Sequence, residues 1–265
     1  MKRTLVVLIL LISKIVSAQN YDYGFVQYER ILNFDNNPKM TNFNLYFTPK
    51  HSTFIENNTK EKEDSREKVS YDLKNDNSNE LDLSINMNID GSKYVVLTNF
   101  YKNIIQSQQS LLKSGKVETY IIEEELPKID WNIENEFKDI NKIKVQKATC
   151  RFRGRDYVAW FTNSIPVKYG PWKFNGLPGL IISISDSKNE VIFNAIKIKV
   201  PFEIPLDIKE SQEITCDCPK ISLEEYIKMK KKQDDEFIKL FNSKLPRGAV
   251  FIQTSKKGNS IELEY

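Results

Sequence analysis

The chain is poor in the side chains on which nucleophilic and metal chemistry most often rest. Its 265 residues contain one histidine, His51, and three cysteines, Cys150, Cys216 and Cys218. A Ser-His-Asp or Cys-His arrangement would have to be built on His51, beside the expected Thr48-Pro49-Lys50 turn, and no Ser or Cys sits in a nucleophile-elbow context. HExxH, a Walker loop and a dinucleotide fingerprint are all missing. A structural metal wants three or four ligands, which Cys216-Asp217-Cys218 and a lone histidine do not supply, so neither metal nor cofactor is expected. Carboxylate chemistry stays open, because Asp and Glu total 36 and their pairing is spatial; the run Glu123-Glu124-Glu125 reads as a solvated face.

Long apolar runs are scarce as well. The one that stands out opens the sequence, MKRTLVVLILLISKIVSAQN, with basic Lys2 and Arg3, an apolar stretch from Leu5 to Ile12, and Val16-Ser17-Ala18 before Gln19. That order is what a signal peptidase reads, so residues 1–18 are expected to be a removed secretion signal and the product to be exported, periplasmic or extracellular. No later stretch has the length to cross a membrane as a helix. Removing the signal takes Lys plus Arg from 39 to 36 against 36 Asp plus Glu. A neutral chain lacks the broad basic face of a nucleic-acid binder. In an oxidising compartment a disulfide is expected between Cys150 and either Cys216 or Cys218, since a ring closed within C-D-C is strained.

What is present in quantity is alternation. In LDLSINMNID, Leu81, Leu83, Ile85, Met87 and Ile89 alternate with polar residues before Asp90-Gly91 and the run YVVLTN, which predicts a hairpin with one buried face. FNLYF and STFIE, KVETYIIEE after Ser114-Gly115, and the opening VQYERIL read the same way. Residues 57–80 are polar and charged, and a mobile loop is expected there. Further on, Ala148, Cys150 and Phe152 share a face before a turn at Gly154-Arg155-Asp156, and LIISISD should pair with NEVIFNAIKIKV across Ser187-Lys188. One helix is expected at about 221–244, where Ser222 and Glu225 form a capping box ahead of apolar residues at helical spacing. The organisation is therefore an antiparallel β domain over 19–200, a meander forming a curved sheet or open barrel, followed by an extension over 201–265.

The stretch KYGPWKFNGLPGLIISISD concentrates the backbone constraint. Gly170-Pro171 and Gly176 to Gly179 bracket Trp172 and Phe174, and Leu177-Pro178-Gly179-Leu180 fits a type II turn with Gly179 at positive φ. RFRGRDYVAWFTNSIP followed by GPWKFNGLPGLI resembles the GLPGLI family of secreted Bacteroidetes-type proteins, named for the residues found here as Gly176 to Ile181. The resemblance rests on Ala148 to Asp186 and implies an exported protein. The family has no established biochemical role, so the resemblance carries over no catalytic residues.

Two readings of the stretch follow. It is either a ligand-contacting loop, with Trp160, Trp172, Phe174 and Leu177 as binding residues, or an aromatic plug over the open side of the sheet, which the turn residues Gly170, Pro171, Gly176, Pro178 and Gly179 would hold in place. Arg151, Arg153 and Arg155 alternate nearby and could grip a carboxylate or phosphate, or be satisfied by neighbouring acids. Two functions remain: a non-catalytic envelope protein binding an apolar ligand, peptide or outer-membrane partner, and a carboxylate hydrolase with its cleft shaped by the GLPGLI turn.

Overall fold

Alternating burial organises most of the chain into strands. In a computed structural model, which describes residues 22–34, 38–57, 68–74, 82–88, 94–113, 116–210, 213–244 and 261–264, fourteen strands are β1 (Gly24–Leu32), β2 (Lys39–Phe47), β3 (His51–Glu56), β4 (Lys68–Lys74), β5 (Asp82–Asn88), β6 (Val95–Asn99), β7 (Ile104–Lys113), β8 (Lys116–Glu125), β9 (Asn132–Ile140), β10 (Ile143–Phe152), β11 (Arg155–Thr162), β12 (Leu180–Asp186), β13 (Val191–Lys199) and β14 (Lys220–Ser222). Two helices, α1 (Leu206–Glu210) and α2 (Leu223–Lys244), follow β13 and β14 respectively. The expected secretion signal, residues 1–18, lies outside the described residues.

Twelve strands form one sheet in the order β14-β8-β7-β6-β3-β2-β1-β13-β12-β11-β10-β9, not closed into a barrel. Neighbours are antiparallel except β14, which lies parallel to β8 and makes the sheet mixed. The expected mainly β meander with a late helix is what forms. β1 joins the two halves of the sheet, pairing with β2 on one side and with β13 on the other. Register shifts at Gln27/Tyr28, Gln146/Ala148 and Trp160/Phe161 are bulges, which bend strands and increase twist. One face is apolar: Val26 and Tyr28, Phe43, Leu45 and Phe47, Phe54, Tyr157, Ala159 and Phe161, and Val191 and Phe193 are all buried.

Several expectations need correction. LDLSINMNID does not pair with YVVLTN: β5 pairs with β4 in a separate two-stranded sheet, while β6 lies between β3 and β7. β4 falls inside the expected loop 57–80, where the alternation of Val69, Tyr71 and Leu73 was hidden by flanking charges. The cysteine pairing is also reversed, with Cys216 joined to Cys218 and Cys150 a free, buried thiol. The Cα atoms of Cys216 and Cys218 are 5.1 Å apart, within ordinary disulfide reach, so proximity in sequence is no obstacle. Cys150 faces the core from β10, whereas Ile214 donates its N–H to Gln106 on β7 and Pro219 accepts from Ile121 on β8, which seats the Cys216 segment at the opposite end of the sheet.

The helix forms as expected. Ser222 Oγ accepts the Glu225 N–H at 3.1 Å and Glu225 Oε2 accepts the Ser222 N–H at 2.9 Å, a reciprocal capping box. Tyr226 is buried against Leu111, Tyr120 and Ile122, so α2 covers the β7–β8 end.

Candidate functional site

The connection between β11 and β12 carries the constrained stretch and crosses the apolar face. Its neck is closed by the Tyr169–Asn175 bridge and by the Gly176 N–H donated to Lys168 O at 3.0 Å. Trp172 (3% exposed) and Phe174 (2%) point inward, and Phe174 lies 4.8 Å from the Tyr157 ring, 5.2 Å from Trp172 and 5.7 Å from Phe152. Tyr169 stacks on Phe47 at 5.1 Å and donates to Thr48 O, anchoring the connection on the β2–β3 side. Trp131 Nε1 donates to Asn175 O at 2.8 Å on the other side. These contacts make the segment an aromatic plug.

The turn chemistry differs from expectation. Positive φ falls on Gly176 (94°) and on Trp172 (56°), not on Gly179. Gly179 is needed for space, because a Cβ there would lie 2.1 Å from the Thr162 carbonyl oxygen. Trp172 accepts a left-handed backbone that its side chain disfavours, which is tolerable only because surrounding contacts hold it.

The three arginines do not share a face. The β10–β11 turn is Arg153-Gly154, with φ of 49° and 77°, so it is a two-residue hairpin of the primed type and Arg155 opens β11. Pairing Phe152 with Arg155 sends Arg155 inward and leaves Arg151 outside. Arg155 Nη1 lies 2.7 Å from Asp186 and 2.6 Å from Glu190, and Asp186 Oδ1 also accepts the N–H groups of Glu190 and Val191. That triad ties the β12–β13 turn to β11. Among the described residues Arg151 makes exposed contacts at 3.5 Å, with Asp156 and Glu264. Trp160 is half-buried on the other face under Lys138 Nζ, 3.8 Å from its ring centroid, and Leu177 is buried in the core with the plug.

Arg153 belongs to a group that the sequence did not announce. Its guanidinium pairs with Glu124 of β8, and its Nε lies 3.7 Å from Glu262. Lys173, between the two plug aromatics, reaches both carboxylates, with Nζ 2.5 Å from Glu124 and 2.7 Å from Glu262. Two cations and two carboxylates thus alternate, with side-chain exposures from 3% for Lys173 to 15% for Glu262. Burial alone would push the Lys173 ammonium down, but Glu262 and Glu124 outweigh it and the net shift is upward. Glu124 was read as solvated, yet it is in phase with buried Tyr120 and Ile122 on β8, a signal of inward orientation that the flanking glutamates obscured.

Glu262 arrives on residues 261–264, which lie across the Arg153-Gly154 turn. Arg153 O accepts the Leu263 N–H at 3.0 Å and the Glu264 N–H at 3.4 Å, and Ile261 packs against the core. A Cβ on Gly154 would sit 2.9 Å from the Leu263 Cβ, so bare backbone lies where the segment crosses. The result is a charged cleft beside Trp172, filled by a short piece of the chain itself. Among the described residues no group of three or more His, Cys, Asp and Glu is placed to hold a metal. No helix among them is long and apolar enough to cross a membrane.

The cleft and plug coincide with the part of the chain that is similar to known sequences. A family model described as a protein of unknown function (Porph_ging), a Bacteroidetes-type family, matches residues 153–183. No curated protein matches. Among solved structures, two crystal forms of PNGF-II superpose on 80% of this chain, with 15% and 14% identity and TM-scores of 0.50 and 0.49. This chain spans about a third of that protein's length, covering 34% and 33% of it in the two forms. At this identity the likeness concerns the fold alone.

Proposed function

We propose that the chain is an exported, non-catalytic binding protein of the cell envelope whose ligand is a peptide. The observation that carries this reading is the seat of residues 261–264, where the cleft at Arg153-Gly154 and Lys173 holds a short segment by backbone and side chain together. An apolar small ligand fits less well, because Trp172, Phe174 and Leu177 are spent on packing. The hydrolase alternative is weakened at this cleft, where both carboxylates are engaged by Lys173 and Arg153. Export rests on the basic, apolar, Val-Ser-Ala order of residues 1–18, and kinship with the GLPGLI family on Gly176 to Ile181.

The test presents the full chain to an array of photo-crosslinkable hexapeptides that includes its own Ser260–Tyr265 sequence, with the peptides afterwards weighed by mass spectrometry. Capture of intact peptides carrying an apolar residue at the Ile261 position supports the reading. Capture of none, or cleavage of those captured, overturns it. Expressed with its leader, the exported product should have the intact mass of a chain beginning at Gln19; retention of the preceding residues on secreted material counts against export.

A further inference from the structure

The charged cleft takes from its occupant one of the two carboxylates that Lys173 reaches. Lys173 and Arg153 face two carboxylates, of which Glu124 belongs to β8 and Glu262 to the crossing segment. Take Glu262 away and two largely desolvated cations lose a carboxylate that both now reach. Taking a carboxylate from buried, paired cations is costly, so the site favours an anionic group on whatever fills it. The Arg153 carbonyl, by contrast, accepts backbone N–H groups and is indifferent to sequence. Specificity therefore falls on the acidic side chain and on the apolar residue before it, Ile261, which packs on the core.

The hold on the segment is also of a kind that a separate peptide can reproduce. Its described contacts are two N–H groups on one carbonyl, the Glu262 pairs, apolar packing of Ile261 and an exposed Arg151–Glu264 pair at 3.5 Å. Residues 261–264 take part in no strand ladder.

We propose that the Lys173–Arg153 seat of Glu262 is a recognition subsite for an acidic side chain on an incoming peptide, and that the chain's own 261–264 segment competes for it. This rests on the peptide-binding reading and adds the ligand's chemistry, an apolar residue followed by a carboxylate, together with a built-in competitor. The probe is a fluorescein-labelled peptide of the Ser260–Tyr265 sequence, SIELEY, beside the same peptide with glutamine at the Glu262 position. Fluorescence polarisation is measured on the full wild-type chain and on full-length Glu262→Gln.

The glutamate peptide should bind the Glu262→Gln chain at least about ten-fold more tightly than wild type, and the glutamine peptide should show no such gain. Equal binding of both peptides would overturn the acidic subsite while leaving a peptide-binding protein. Binding of neither would remove both. Should Glu262→Gln lose its native circular dichroism, Ile261→Ser takes its place, since it loosens the segment without altering the charges. The glutamate peptide must then bind Ile261→Ser more tightly than wild type, and an unchanged affinity overturns the competition.

Discussion

Lys173 shows how a residue's surroundings reverse its intrinsic tendency. Desolvation disfavours its charge, Glu262 and Glu124 favour it, and the net shift is upward from the ordinary value of 10.5. A cation whose folded pKa is raised contributes stability that is fully present below the unfolded value and is lost as pH rises through the folded one. That contribution is therefore intact at neutral pH and fades only above about pH 10.5. Lys173→Met should destabilise the protein by about 3 kcal/mol, because buried Glu124 and Glu262 each lose the cation they share. Adding Glu124→Gln should recover part of the loss, and urea midpoints for the single and double variants check both statements. Cys150 makes the converse case: burial, and then Asp156, push its thiol up to about 12, so it should resist thiol reagents in the native protein and react after denaturation. Peptide mapping without reduction should find Cys216 joined to Cys218, and a Cys150 disulfide would contradict the structure.

At the scale of elements, the β11–β12 connection behaves as a wedge whose backbone and rings depend on each other. Gly179→Ala would drive a methyl group against the Thr162 backbone, which cannot swing away, and should cost about 1–3 kcal/mol. Trp172→Ala empties a space lined by Phe152 and Phe174 and should cost about 3–5 kcal/mol. Part of that loss is returned, because alanine relaxes more readily from the positive φ at position 172. Thermal melts of the two variants beside wild type measure these effects. An unchanged melting temperature for Trp172→Ala would show that the ring is not a plug.

For the whole molecule, the decisive joint is β1. By pairing with both β2 and β13 it makes one sheet of segments that are remote in sequence, so the halves should not open separately. Amide hydrogen exchange provides the measurement. The ladder amides of β1, β12 and β13 should exchange only through global unfolding, while those of the edge strand β9, with seven of its nine residues exposed and Ile133 and Phe137 among them, should exchange by local opening. Faster exchange across β1 than across β13 would mean that the joint is weaker than its pairing implies.

Local pattern alone was enough for the strand-rich class, the hairpins β2–β3, β7–β8, β10–β11 and β12–β13, and the capped helix α2, since each rests on a period of two or of helical spacing, or on a cap a few residues away. The constrained aromatic stretch was legible too, because turn residues and rings lie together within Gly170 to Gly179, but only the burial of Trp172 and Phe174 made it a plug rather than a loop. What lay beyond the sequence was every relation between distant segments: β6 taking β3 as its partner, Cys150 left out of any disulfide, and Glu124, Arg153, Lys173 and Glu262 meeting in one cleft. A charged residue in a one-dimensional pattern reads as solvated, and only the approach of an opposite charge from elsewhere in the chain makes its burial affordable. That approach is set by the order of strands in the sheet, which no local period encodes.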